Sequence, residues 1–341
     1  MSAAALCARW SATIRQRNGP ELWSVPAEAV LAGSIDSALS EVATAEVSLR
    51  GCDVPDWLQI APRLHEVELS RDGESAFVGP VVVPAASDGE LVLVCADRMW
   101  WAMNRRRLRT VQGDASTVTA ALIAQAAEQG HIGLEVVTTP SGWHAEASDL
   151  LIGTSVDDAG ARWMCRDEIV QVGSVPFATV ERTYTADDWD KPPAVSIDGA
   201  QYAPTIMSSD GVYHASPGLW GESADVINDG DPRAAYLERS AVWVDSGEQY
   251  SRGPRVELSS GARSGDAAVS LRRGVPVGDW AAWRPGGLLR LAVDTRCGIV
   301  LGTRSAPVSA EITALRVAFG AGGHETSLSV DASSTAPRAG A

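Results

Sequence analysis

The residues that could carry catalysis are scattered along the chain and match none of the common catalytic arrangements. The sequence contains no Gly-x-Ser-x-Gly elbow for a nucleophile and no glycine-rich phosphate loop that leads into a helix. None of the five histidines has a second metal ligand at helical spacing. We therefore expect no catalytic residue, no metal site and no cofactor.

Two acidic clusters give weaker signals. Asp187, Asp188 and Asp190 could act as paired carboxylates in glycan or peptidoglycan hydrolysis, although neighbouring acids in a loop are more often solvated. The segment 225–231 resembles a calcium loop, but Ile227 stands where the helix-loop-helix pattern needs an oxygen ligand. Hydrolysis and calcium binding therefore remain the weaker alternatives.

Tryptophan is the most distinctive residue type, because 12 tryptophans outnumber the five tyrosines and three phenylalanines together. Such rings either fill cores and subunit interfaces or stack against sugars. Trp100 and Trp101 are candidates for a subunit interface. Trp189, Trp220 and Trp243, in the loop-rich middle of the chain, are candidates for glycan contact.

The charge balance argues against a nucleic-acid partner. The 43 acidic and 28 basic residues give a net charge of -15, whereas gripping phosphates requires a basic surface. The cluster Arg105, Arg106 and Arg107 could contact phosphate, but on a chain of this net charge salt bridges between subunits are the favoured interpretation. Residues 1–9 lack a signal-peptide pattern, and no segment approaches the ~20 apolar residues of a membrane span. We expect a protein made in the cytoplasm, without a membrane span or sequence-specific nucleic-acid binding.

Alternating apolar residues and glycine turns predict a β-meander over about the first 100 residues. The alternation places Val67 and Leu69 inward and Glu66 outward on one strand. Asp72-Gly73 follows this strand and is a strong hairpin signal, because both positions of such a turn need positive φ.

The pattern changes after this meander. The apolar run 91–96 is typical of a strand buried on both faces, as in a small closed barrel. If that strand continues, Trp100 and Trp101 point to opposite faces. Helical spacing then predicts an α-helix over 116–129, with Ser116 as its N-cap.

The predicted fold class is mainly β with a small α/β insert, in which two β-barrel-like domains flank an inserted middle region. The predicted boundaries are 1–110 for the first β-barrel domain, 111–250 for the mixed α/β and loop-rich middle, 251–331 for the second β-barrel domain, and 332–341 for a flexible tail.

Several segments follow one another in a characteristic order: 8–14, 33–49, 69–74, 77–81 and 96–106. The helix at 116–129 continues this order, and a weaker likeness returns near 284–287 and in the final hairpin. The order of these pieces resembles that of the minor tail proteins, or tail-hub proteins, of long-tailed phages that infect actinobacteria.

The resemblance implies a structural baseplate hub at the virion tail tip, which closes the distal end of the tail tube. It implies a homotrimer whose paired β-barrels form a ring under the tube, and it supplies no catalytic residues. The partners it implies are further copies of the chain, distal tail and tail-tube proteins, the tape-measure protein, and other tail-tip or receptor-binding proteins. The alternative is a carbohydrate-binding tail-tip protein that contacts the host envelope through tryptophans of the middle region.

Overall fold

The computed structural model describes residues 9–185 apart from short gaps at 18, 55, 131, 142–143, 148 and 174–176. It also describes strands at 194–197, 205–208, 213–215, 241–244 and 265–270, and the ranges 283–294, 300–301, 307–320 and 323–331. These residues form 22 strands and three α-helices, which confirms a mainly β fold with a small helical part. None of the described helices is long and apolar enough to cross a membrane.

Seven antiparallel strands form the first β region, because apolar and polar residues alternate along them. In the first strand, for example, Trp10, Ala12 and Ile14 are buried. The strands are β1 (Trp10–Gln16), β2 (Glu21–Val25), β3 (Val30–Ala38), β4 (Thr44–Arg50), β5 (His65–Arg71), β6 (Glu74–Ser87) and β7 (Glu90–Ala96). The turn between β5 and β6 has φ of 51° at Asp72 and 87° at Gly73, which confirms the predicted hairpin.

The longest of these strands, β6, joins two sheets. Its residues 74–80 pair with β5 and its residues 81–87 pair with β7. Side chains from both sheets, including Ile14 on β1 and Leu93 on β7, fill one core. The pairs among the described strands do not close into a barrel, because β2 pairs only with β1 and β3 pairs with a C-terminal strand. The predicted closed barrel is thus replaced by two sheets that share β6, and β7 alternates between buried and half-buried residues.

A small α/β unit with its own core follows the meander. Its elements are α1 (Met99–Met103), β8 (Val111–Asp114), α2 (Ala115–Glu128), β9 (Glu135–Thr138), β10 (His144–Ala147), α3 (Ile152–Ala159), β11 (Trp163–Arg166) and β12 (Ile169–Val172). Leu122 on α2, Val156 on α3 and Trp163 on β11 are almost fully buried in this second core. β12 pairs with β9 in parallel and with β11 antiparallel, so β9 lies at the edge of that small sheet.

The helix α2 starts one residue earlier than predicted, and its N-cap is Asp114 rather than Ser116. The Asp114 carboxylate accepts a hydrogen bond from the Ser116 amide at 3.1 Å, so it satisfies a donor of the first turn. Ser116 itself is buried inside that turn. Asp and Ser are equally good caps, and only the backbone conformation distinguishes them here.

Of the described strands that remain, several C-terminal ones join the sheet of the first β region, whereas three others pair only with one another. The remaining strands are β13 (Ala178–Thr185), β14 (Ala194–Ile197), β15 (Thr205–Ser208), β16 (Tyr213–Ala215), β17 (Ala241–Val244), β18 (Gly265–Ser270), β19 (Gly287–Asp294), β20 (Val300–Leu301), β21 (Val308–Gly320) and β22 (Gly323–Asp331). The three described strands that pair only with one another are β15, β16 and β17. β21 pairs antiparallel with β3, and Phe319 stacks on Trp10 with ring centroids 4.0 Å apart. The domain boundaries and a shared topology of 1–110 and 251–331 stay predictions, because most of 251–282 lies outside the described residues.

Candidate assembly surface

Asp97 ends the strand β7 and turns the chain into α1. One carboxylate oxygen accepts a hydrogen bond from the Ala43 amide at 2.7 Å, and the other accepts one from the Met99 amide at 2.8 Å. The carboxylate thus connects the loop between β3 and β4 to the first turn of α1. The strand does not continue to Trp100 and Trp101, because this local side-chain contact favours a turn over further extension.

The two tryptophans that follow therefore lie on a helix, where neighbouring side chains are about 100° apart. Trp101 is buried in the second core, and its ring nitrogen donates a hydrogen bond to the Arg63 carbonyl at 3.1 Å. The Arg17 guanidinium lies over the Trp101 ring, 3.9 Å from its centroid, and burial lowers the pKa of Arg17 to about 10. Trp100 is half-buried. Trp101 leaves little surface for a second subunit, and Trp100 is the better placed of the two interface candidates.

A buried ion pair connects α1 to the first β region, and sequence reasoning missed it. Arg98 donates to both carboxylate oxygens of Glu66, at 2.9 and 2.8 Å, and to Glu168 at 2.5 Å. The prediction that Glu66 points outward is wrong, because its side chain has no exposed surface. Burial alone would lower the pKa of Arg98, but the hydrogen bonds and charges of Glu66 and then Glu168 raise it. The pair holds β5, the start of α1 and the turn before β12 together.

The predicted arginine cluster divides into three different roles. Arg105 donates to the carbonyl oxygens of Ala126 and Gly130, at 2.6 and 3.0 Å, and so stabilises the C-terminus of α2. Arg107 donates to the Asp149 carbonyl at 2.7 Å. Arg106 is exposed. Arg105 and Arg107 thus act within the chain, and Arg106 is the member available to a partner.

Exposed leucines lie close to Arg106 and form an apolar surface beside it. Leu108, Leu150 and Leu151 are 55%, 71% and 47% exposed. They lie on two paired segments, because Arg106 forms a bridge with Leu151 and the Arg107 amide bonds to the Leu150 carbonyl. We call Arg106, Leu108, Leu150 and Leu151 the leucine-arginine surface. The sequence feature that could have indicated this surface is the presence of leucines in otherwise polar segments.

The remaining sequence candidates lie largely outside the described residues. This applies to Trp189, Trp220, the acidic cluster around Asp188 and the segment 225–231. Trp243 lies in β17. Within the described part of the chain, no group of three or more His, Cys, Asp or Glu residues is arranged to hold a metal ion.

The burial of Asp97 gives a testable pH dependence. Burial raises the pKa of Asp97 to about 7 although backbone amides oppose this shift, so the folded chain binds this proton more tightly than the unfolded chain. The contribution of Asp97 to stability is therefore full below about pH 4 and is lost as the pH rises to about 7. As the pH rises from about 4 to about 7, we expect the free energy of unfolding of wild type to fall by about 4 kcal/mol relative to that of Asp97→Asn. Urea denaturation of both proteins between pH 4.5 and 8 measures this, and parallel curves would contradict it.

Comparison with known proteins places the fold among phage tail proteins. No protein-family model and no curated protein sequence matches the chain. Among solved structures, the chain is similar to a tail protein from Neisseria meningitidis MC58, with a TM-score of 0.60, 14% identity, and 94% of this chain and 96% of that chain covered. It is similar to the 43 kDa tail protein of prophage MuSo2 from Shewanella oneidensis, with a TM-score of 0.59, 9% identity, and 96% and 99% covered. It is also similar to prophage tail protein gp18 from Listeria monocytogenes EGD-e, with a TM-score of 0.54, 10% identity, and 94% of each chain covered.

Proposed function

We propose that the chain is a structural protein of a phage tail, and more specifically the hub that closes the distal end of the tail tube as a homotrimer. The observation that carries the proposal is the shared fold, which covers 94% of this chain and 96% of the Neisseria tail protein. A match over 94% of this chain and 96% of that chain is too extensive to come from one β region alone. A function in the tail is therefore the interpretation that accounts for most of the chain.

Two further features support a hub. The β regions from both ends of the chain join through β3 and β21 into one continuous sheet, so each copy offers an extended β surface to a ring. The net charge of -15 suits a channel that DNA crosses, because carboxylates repel phosphates whereas clustered arginines and lysines bind them. The sequence resemblance adds the ring that three copies form under the tube, with two β domains from each copy, and the expectation of an actinobacterial host rests on that resemblance alone.

The role proposed for the chain is assembly and not catalysis. Its partners are further copies of itself, distal tail and tail-tube proteins, the tape-measure protein, and other tail-tip or receptor-binding proteins. The place proposed for it is the tail tip of the virion, after synthesis in the host cytoplasm. Glycan binding through Trp189, Trp220 and Trp243 remains the alternative, and no contact among the described residues favours it over assembly.

Gradient-purified tail particles test the tail function. Mass spectrometry of the particle fraction is expected to detect the chain at far fewer copies per tail than the tail-tube subunit, because one homotrimeric hub occurs per tail. Removing the gene is expected to abolish complete tails while the other tail proteins are still made. A chain that is absent from purified particles, or intact tails without it, would contradict the proposal.

A further inference from the structure

A charged groove lies between the first β region and the α/β unit. Arg15 and Glu68 line it from β1 and β5, and Glu135, Asp167 and Glu168 line it from the α/β unit. Together with Arg98, the lining contains four carboxylates and two guanidinium groups. The groove therefore carries a negative balance at neutral pH.

The two arginines of the groove, Arg15 and Arg98, already form ion pairs with glutamates of the same chain. Arg98 is bound by Glu66 and Glu168, and Arg15 lies 3.5 Å from Glu66 and 3.3 Å from Glu68. None of the ion pairs between described residues involves Glu135, and its side chain is exposed. Asp167 is 40% exposed, and Arg166 approaches it only to 4.0 Å. A cation from outside the chain would thus meet carboxylates that are not yet neutralised.

The same side of the α/β unit also exposes apolar side chains. Ile169 lines the groove at the start of β12 and is 45% exposed. Val137, on the edge strand β9, is also 45% exposed. Because β9 and β12 pair in parallel with Ile169 opposite Glu135, apolar and acidic side chains alternate over this region. This combination of exposed apolar and acidic groups is the complement of the leucine-arginine surface.

We propose that the leucine-arginine surface of one copy docks into the acidic groove of the next copy. Arg106 approaches the carboxylates around Glu135, and Leu108, Leu150 and Leu151 cover Ile169 and Val137. Two different surfaces meet in this contact, so it is heterologous, and repeating it about a threefold axis gives the closed ring that a homotrimer requires. The inference rests on the proposed function, since it specifies how the copies of the hub associate.

Charge exchange between the two surfaces tests the contact in the purified full chain. Arg106→Glu and Glu135→Arg are each expected to raise the dissociation constant for self-association about tenfold or more, because each places like charges together. The double variant is expected to return to within roughly threefold of wild type, because it restores opposite charges. Arg50→Glu is the matched control, since Arg50 is half exposed, pairs only with Asp53 among the described acids, and lies in neither surface. Sedimentation velocity measures the dissociation constants, and thermal melts verify that each variant is folded.

The outcomes separate this contact from the tail function. Rescue by the double variant supports the contact. Single variants no weaker than Arg50→Glu, a double variant no better than the singles, or a wild type that stays monomeric at high concentration would each overturn it. In each of those three cases, finding the wild-type chain in purified tail particles would reject the proposed contact and leave the proposed tail function standing. Absence from the particles rejects the proposed function itself.

Discussion

Replacing Arg98 with methionine is expected to lower the free energy of unfolding by about 3–5 kcal/mol, because it leaves a buried carboxylate without its main partner. The Glu66 side chain has no exposed surface, and Arg98 supplies two hydrogen bonds to it. Arg15 remains at 3.5 Å but is itself partly exposed, so it compensates only in part. Urea denaturation followed by tryptophan fluorescence measures the loss.

Two further variants show whether the loss comes from the unpaired charge. The double variant Arg98→Met, Glu66→Gln removes both charges, and it is expected to recover much of the stability lost by the single variant. Arg109→Met breaks the exposed pair with Glu128 and is expected to cost less than about 1 kcal/mol. If Arg98→Met is as mild as Arg109→Met, the buried pair does not hold the two units together as described.

Gly79→Ala is the other change for which we expect a large loss, of about 3 kcal/mol or more, since it overpacks a rigid site. Gly79 lies in β6, and a Cβ atom there would stand 1.8 Å from the Ala96 carbonyl oxygen and 2.9 Å from the Asp97 Cα. These atoms belong to the backbone at the end of β7 and cannot turn aside. The variant must move the corner that carries Asp97 and α1.

Gly89→Ala is the matched control for this substitution. Gly89 has φ of 81°, but nothing lies within 4 Å of an added Cβ, so alanine costs about 1 kcal/mol through backbone strain alone. Thermal or chemical denaturation of both variants separates crowding from conformational preference. Equal losses for the two variants would show that β6 and the β7 corner are not packed so closely.

Local sequence signals predicted the local structure well. The hairpin at Asp72-Gly73 and the helix α2 depend on neighbouring residues, and both form where they were expected. The alternation in β5 likewise predicted that Val67 and Leu69 are buried. The period of a strand cannot show whether a second layer covers its polar face, which is why Glu66 was assigned to solvent although Arg98 reaches it from 32 residues away.

The leucine-arginine surface was predictable only in part, because its residues are brought together by contacts between distant parts of the chain. The sequence singled out Arg105, Arg106 and Arg107, but identical side chains differ in role once α2 ends beside Arg105 and the Asp149 carbonyl faces Arg107. The pairing of β3 with β21 is likewise invisible to local patterns, since many strands of similar alternation are equally eligible.

Electron cryomicroscopy of the native tail tests the central claim most directly, because it measures the number and arrangement of copies where the protein works. The account predicts three copies around the tail axis at the distal end of the tube, each contributing two β regions to a six-part ring. Density for the chain along the length of the tube, a different number of copies at the tip, or no density in the particle would contradict it.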